Sequence, residues 1–239
     1  MEGPDLVDAA LSSGADVEAL YVDSASLRSP VVAGLVTRAQ GAGLDVYSLE
    51  PGVLERVADA RSPQPVLASV RFGVSSLSDL DAVADLGLVM VLDTLRDPGN
   101  AGTIIRSADA AGASAVIFTG DCVDPFNPKT LRASAGSVFH LPLVLASLGD
   151  ALEYLGGRGL RRFATVVREG TPLQDCDLSR GCAVVIGNEA TGLDAPSVAL
   201  CDESLSIEMA GRAESLNAAV AASLVAFEAL HQRRGTTST

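Results

Sequence analysis

The chain has 239 residues, a formal net charge of −13 and 48% hydrophobic residues, room for one large domain or for one of about 150 residues plus a smaller partner. Its apolar runs are of strand length, far short of the roughly 20 residues that cross a bilayer, and the acidic balance excludes a protein that coats nucleic acid indiscriminately. With only His140 and His231 as histidines, and four cysteines without a CxxC pair, there is little material for a metal site or a Ser/His/Asp triad.

Residues 1–20 lack the basic start and apolar core of an export signal and read as an amphipathic helix, so the cytoplasm is the expected location. Downstream, apolar runs at 19–23, 44–48, 65–70, 88–93, 115–119, 163–167, 183–187 and 205–209 alternate with helical patterns at 30–40, 101–111, 147–156 and 218–231. This rhythm predicts an α/β fold with a mainly parallel sheet. The Ser- and Asp-rich segment 73–86 reads as a linker between a region 1–72 and a domain 87–232, with 233–239 a flexible tail. In the last helix, Val220, Leu224, Phe227 and Leu230 form the expected buried stripe, and Ala218, Ala219, Ala221 and Ala222 would admit another helix or a ligand. Cys122, Cys176, Cys182 and Cys201 read as small buried hydrophobes.

Three segments concentrate the chemistry. In DPGNAGTIIR, at 97–106, a strand runs into a turn and a helix, with Asn100 placed as N-cap and Gly112 as the stop. Thr103, Arg106 and Ser107 share one helical face, at spacings of three and four. In IGNEATGL, at 186–193, glycines after a strand let backbone approach a ligand. In SIEMAGRAESLN, at 206–217, a strand leads through a loop into the last helix, which Ser215 or Asn217 would cap. In open parallel sheets, ligands bind outside the carboxyl ends of the strands, where all three loops lie. No G-x-G-x-x-G follows a strand and no G-x-x-x-x-G-K-[ST] is present, which argues against dinucleotide enzymes and phosphate-loop ATPases.

In this order, the three segments resemble the signature motifs of the SpoU/TrmH family of RNA ribose 2′-O-methyltransferases, in the knotted SPOUT superfamily. NPKTLRASAGSVFHLPL, at 127–143, resembles the family's stretch between its first and second motifs. The likeness covers roughly 87–231; the first residues are more weakly similar to the small ribosomal-protein-like RNA-binding domain of many members, starting at what resembles its first helix. Two positions depart from the pattern: Glu208 where the family usually has proline, and Ala219 where it usually has a second serine.

The resemblance implies a trefoil knot, a rare exception to unknotted topology, whose loops bind S-adenosylmethionine in a bent shape. It implies cofactor contacts from Thr165, Gly187, Asn188, Gly192, Ile207, Met209, Ser215, Leu216 and Asn217, with backbone groups doing much of the holding. The catalytic set it implies is Arg106, Asn100, Glu189 and Asn217. Arg106, Lys129 and Arg132 would meet RNA, rRNA being favoured over tRNA. Arg106 takes the proton-transfer role by resemblance, but arginine's high pKa makes it a poor base, so Glu189 or solvent stands as the alternative acceptor while Arg106 orients phosphate. A two-fold homodimer, no metal and no membrane complete the expectation. The rival reading is a catalytically silent RNA-binding relative.

Overall fold

A computed structural model describes residues 1–57 and 64–236. The N-terminal part is built from α1 (Pro4–Ser13), β1 (Asp16–Asp23), α2 (Pro30–Gly41), β2 (Asp45–Leu49), α3 (Leu54–Val57) and β3 (Val66–Arg71). Its three-stranded sheet has the order β2-β1-β3, with β2 parallel and β3 antiparallel to β1. The helix expected over 1–20 stops at Ser13, because Gly14 takes a left-handed φ of 74° that closes a helix with no Cβ penalty.

The rest comprises β4 (Leu88–Asp93), α4 (Pro98–Ala110), β5 (Ala115–Thr119), α5 (Pro128–Ser134), β6 (Leu143–Ala146), α6 (Leu148–Gly157), β7 (Arg161–Val166), β8 (Thr171–Pro172), β9 (Cys182–Ile186), α7 (Ala195–Ala199), β10 (Glu203–Ser206) and α8 (Ala218–Thr236). The strands form one parallel seven-stranded sheet in the order β6-β5-β4-β9-β7-β10-β8. Strands β4, β5 and β9 are buried along their whole length, as their unbroken apolar runs require of strands covered on both faces. Alternation divides their side chains. Leu88, Met90 and Leu92 join a core with α4 and α8, whereas Val89 and Val91 join a second core beneath α6.

The segment 73–86 is packed onto this sheet. The Ser75 N–H donates to the Leu143 carbonyl at 2.9 Å, covering part of the edge strand β6. A short 3-10 turn, Leu77–Ala82, opens with a Ser76/Asp79 capping box and sinks Leu80 into the second core. Phe72 stacks on Phe126 with ring centroids 4.4 Å apart and on Phe139 at 5.8 Å, joining the two parts of the chain.

Helix α8 corrects the expected face. Val220, Leu224 and Phe227 are 47%, 45% and 47% exposed, while Ala219, Ala222, Val225, Ala226 and Ala229 are buried; Leu230 packs partly buried at the core's margin. The cause is the close approach of α4, where the Ser107 and Ser223 hydroxyls meet at 2.7 Å, an approach that small side chains permit. The helix also runs on to Thr236, past the start of the expected tail at 233; residues 237–239 lie outside the described residues. Strand β10 ends at Ser206 rather than 209, leaving Ile207 and Met209 on the following loop. Asn100 is not the N-cap of α4: Pro98 begins the helix, and the Asp97 carboxylate accepts the Asn100 N–H at 2.9 Å. Gly112 closes that helix as expected, with a φ of 70°.

Helices α4 and α5 meet at Gly102. A Cβ there would lie 2.6 Å from the Ala133 Cβ and 2.9 Å from the Ser134 nitrogen. Alanine is the better helix former by about 1 kcal/mol, but crowding of this kind costs about 1–3 kcal/mol. Gly102→Ala is therefore expected to lower stability by about 1 kcal/mol in urea unfolding; an unchanged or raised midpoint would show that the helices part freely.

Candidate functional site

The three motif loops leave the carboxyl ends of β4, β9 and β10, and hydrogen bonds tie them together. Glu189 lies at the centre. Its Oε1 accepts from the Asp97 N–H at 2.9 Å and from Asn100 Nδ2 at 3.0 Å, and its Oε2 accepts from the Arg96 N–H at 3.1 Å. The chain continues as Asn217 Nδ2 donates to Asn100 Oδ1 at 3.0 Å, while Asn217 Oδ1 caps α8 by accepting from the Ala219 and Val220 N–H groups. One carboxylate and two amides thus join all three motifs.

Burial pushes the Glu189 carboxyl up, but the hydrogen bonds from Asn100, Asp97 and Arg96 outweigh it and hold the group below the usual carboxylate range. It is ionised at neutral pH with both oxygens accepting. Asp97 is lowered as well, first by the Asn100 N–H and then by Lys129, whose ammonium lies 3.1 Å away.

The second loop is shaped by its own side chain and two glycines. Asn188 Nδ2 donates to the Thr94 carbonyl at 2.9 Å, and its Oδ1 accepts from the Ala190 and Thr191 N–H groups. Thr94 itself has a φ of 54°, a strained value for a β-branched residue. At Gly187, a Cβ would lie 2.5 Å from the Gly192 carbonyl carbon and the Leu193 nitrogen. No side chain fits between these backbones.

A cavity of about 480 Å³ opens beside this loop, within the usual range for small-molecule sites. Thr165, Gly187, Asn188, Gly192, Ile207, Met209, Ser215 and Leu216 all line it, so eight of the nine expected cofactor contacts meet in one place. Asn217 does not line it; it works behind the wall, as cap and tether. The Thr165 hydroxyl is committed to the Val185 carbonyl at 2.8 Å. Glu189 also reaches the cavity, whereas Arg106, Asn100, Lys129 and Arg132 do not line it.

Arg106 lies exposed on α4 and makes no hydrogen bond or ion pair with another described residue; Arg132 on α5 is likewise exposed and unpaired. Lys129 differs, being held by Asp97. Glu208, the departure from the family's proline, accepts from Gln174 Nε2 at 3.0 Å and stays out of the cavity wall formed by Ile207 and Met209. Ala219 is buried in the α4–α8 contact, where a hydroxyl link is made one turn later by Ser223 and Ser107.

Sequence reasoning missed Val166, Val167, Arg168, Leu193 and Glu214, which also line the cavity. Arg168 and Val166 follow from the place of β7 between β9 and β10, a neighbour relation that linear order hides. Cys176 and Cys182 are buried as expected and Cys122 and Cys201 half-buried; burial pushes all four thiols up to about 11, which disfavours the thiolate at neutral pH. Among the described residues, no three His, Cys, Asp or Glu side chains are grouped to hold a metal ion, and no helix is long and apolar enough to cross a membrane.

With that geometry in place, comparison with known proteins assigns the family. The model of the SpoU rRNA Methylase family matches residues 87–227. The chain is 34% identical over 227 residues to the 23S rRNA (guanosine(2553)-2′-O)-methyltransferase RlmP of Bacillus subtilis, covering 95% of this chain and 86% of that protein. It is 36% identical over 193 residues to a 23S rRNA (uridine(2479)-2′-O)-methyltransferase of Streptomyces viridochromogenes, covering 78% and 67%. The crystal structure of the SpoU methyltransferase AviRb from Streptomyces viridochromogenes, in complex with the cofactor AdoMet, superposes with a TM-score of 0.87 at 31% identity, covering 98% of this chain and 89% of that one. A family match across most of the large domain, and relatives aligned along nearly the whole chain, place this protein in the SpoU rRNA methylase family.

Proposed function

We propose that this protein transfers a methyl group from S-adenosylmethionine to a ribose 2′-hydroxyl of structured RNA, with 23S rRNA favoured over tRNA. The observation that carries this reading is the meeting of the expected cofactor residues in one cavity, which the Asn217–Asn100–Glu189 chain fastens to the helix bearing Arg106. Relatives named as 23S rRNA 2′-O-methyltransferases support the substrate, and the AdoMet-bound relative supports the cofactor. The cavity suits that molecule: Ile186, Leu205, Ile207, Met209 and Leu216 offer apolar walls, and the Gly187 turn presents backbone where a Cβ would collide.

When bound, the cofactor supplies an electrophilic methyl on a sulfonium. The protein's task is then to hold a ribose oxygen in line with it and to let the hydroxyl proton leave. Glu189 is a poor proton acceptor, because its carboxylate is already held by three donors and its pKa is lowered; we assign it the organisation of the loops. Arg106, uncommitted among the described residues, meets the reacting ribose and its phosphate, and Arg132 on the adjoining α5 extends the contact to RNA. Lys129 contributes through its hold on the α4 N-cap.

The wider arrangement belongs to the same proposal. Residues 1–72 present RNA to the domain 87–232 across the packed segment 73–86, in the cytoplasm. The loops after β9 and β10 form the trefoil knot, in keeping with the insertion of β9 between β4 and β7. A second copy covers the Val220, Leu224 and Phe227 side of α8, an exposed apolar stripe of the kind that marks interfaces. Of the alanines on this helix, Ala219 and Ala222 are buried in the core, while Ala218 and Ala221 line the cavity.

Arg106→Ala is expected to bind cofactor nearly as wild type while single-turnover methyl transfer to total rRNA falls at least about a hundredfold, the lower range for losing a positioned proton-transfer group. Near-normal transfer would remove Arg106 from the mechanism. Asn217→Ala should weaken calorimetric cofactor affinity and rate together, since it frees both Asn100 and the start of α8; a variant impaired in rate alone would contradict this. Light scattering at micromolar concentration should give twice the chain mass for wild type and the single-chain mass for the Leu224→Glu, Phe227→Glu double variant. A monomeric wild type would refute the dimer.

A further inference from the structure

Arg168 is the one cation among the residues that line the cavity, and Glu189 and Glu214 are its carboxylates. Glu189 is taken up by its three donors. Arg168 and Glu214 are both exposed, and neither makes a hydrogen bond or ion pair with another described residue. By contrast, Arg38, Arg71, Arg96, Arg158, Arg161 and Arg162 each pair with a carboxylate.

The backbone fixes where Arg168 sits. It lies in the turn between β7 and β8, followed by Glu169 with a left-handed φ of 63°, a cost that non-glycine residues bear only where the surroundings impose it. The surroundings are visible at Gly170, where a Cβ would lie 2.7 Å from the Leu205 carbonyl carbon and 2.9 Å from the Ser206 nitrogen. The Gly170 carbonyl also accepts the Ser206 hydroxyl at 2.9 Å. The turn is thus wedged against β10, the strand whose following loop carries Glu214. Two neighbouring loops present one free cation and one free anion to the same cavity.

We propose that Arg168 and Glu214 hold the amino-acid end of the cofactor, Arg168 binding its carboxylate through paired N–H donors and Glu214 its ammonium. This rests on the reading of the cavity as the S-adenosylmethionine site and goes beyond the backbone contacts expected there. A ligand with one carboxylate and one ammonium matches the two uncommitted charges in number and sign, and a planar guanidinium suits a carboxylate's geometry. An RNA phosphate is the other anion Arg168 could meet, but the place of Arg168 in the cavity lining favours the cofactor.

The test titrates S-adenosylhomocysteine and 5′-methylthioadenosine, which keeps the adenosine and thioether but lacks the amino-acid end, into wild type, Arg168→Gln, Arg168→Lys and Glu214→Gln. Charge-assisted hydrogen bonds at a solvent-reached site lead us to expect about a tenfold loss of S-adenosylhomocysteine affinity in each Gln variant, partial recovery with lysine, and unchanged affinity for methylthioadenosine. Equal losses for both ligands would mean a structural role and overturn the proposal, as would unchanged affinity for both. Unchanged S-adenosylhomocysteine binding together with weaker, less salt-dependent rRNA binding by Arg168→Gln would overturn it in favour of a phosphate contact. Wild type that binds neither ligand would overturn the cofactor reading itself, whereas wild type that binds with unaffected variants overturns this inference alone.

Discussion

The Glu189 carboxylate gathers N–H groups from the turn after β4 and the amide of Asn100, and through Asn100 it reaches the cap of α8. Three loops that leave different strands would otherwise wander independently, because a loop's own backbone groups are satisfied as well by water as by a neighbour. Glu189 is open to solvent, so these bonds contribute little net stability compared with a buried network. Their value is geometric. A carboxylate accepts several donors at fixed angles, and the low pKa that results keeps it an acceptor across the neutral range. The same saturation that makes Glu189 a good clamp makes it a poor base, which shifts the chemical burden of the proposed reaction to Arg106.

The acidic composition argued against RNA, and the structure shows how the two are compatible. Carboxylates neutralise many of the arginines locally, as in the Arg162–Asp202 pair with its short charge-assisted contacts. Among the arginines without a carboxylate partner, three lie near the motif loops or the helices that carry them: Arg106 and Arg132 on the packed helices α4 and α5, and Arg168 at the cavity. Non-specific affinity scales with the number of phosphates neutralised. A chain with a charge of −13 and part of its arginine charge neutralised within the fold is therefore suited to bind one folded RNA at one place rather than any RNA anywhere.

Much of this was legible in the chain. The runs at 88–93, 115–119 and 183–187 became β4, β5 and β9 because strands covered on both faces need unbroken apolar sequence. The motif loops were readable because glycine and asparagine after such strands serve few purposes besides tight turns and close approach. What stayed hidden is the order of the strands, since the placing of β9 beside β4 is set by packing and leaves no local mark. Short elements such as β6, β8, α5 and α7 are fixed by tertiary contacts more than by pattern. Asn100 was misplaced as a cap because Asp97 and Asn100 both have capping side chains; Pro98, which is at ease in the first helical turn, decides for Asp97.

Helix α8 shows why size alone misleads about burial. Ordinary reasoning sends Leu and Phe inward, yet α4 approaches closely enough for Ser107 to touch Ser223, and at that separation only small side chains fit. The large residues are turned outward as a consequence of tight packing within the chain. The loop that enters this helix lines the cavity through Ser215 and Leu216, and Asn217 joins its first turn to Asn100. One helix thus carries an internal face that fixes the fold, an exposed apolar external face, and an end that helps form the cavity wall. On the proposed dimer, a partner resting on Val220, Leu224 and Phe227 would steady the same first turns that border the cavity, so assembly and cofactor binding would share a single rigid element.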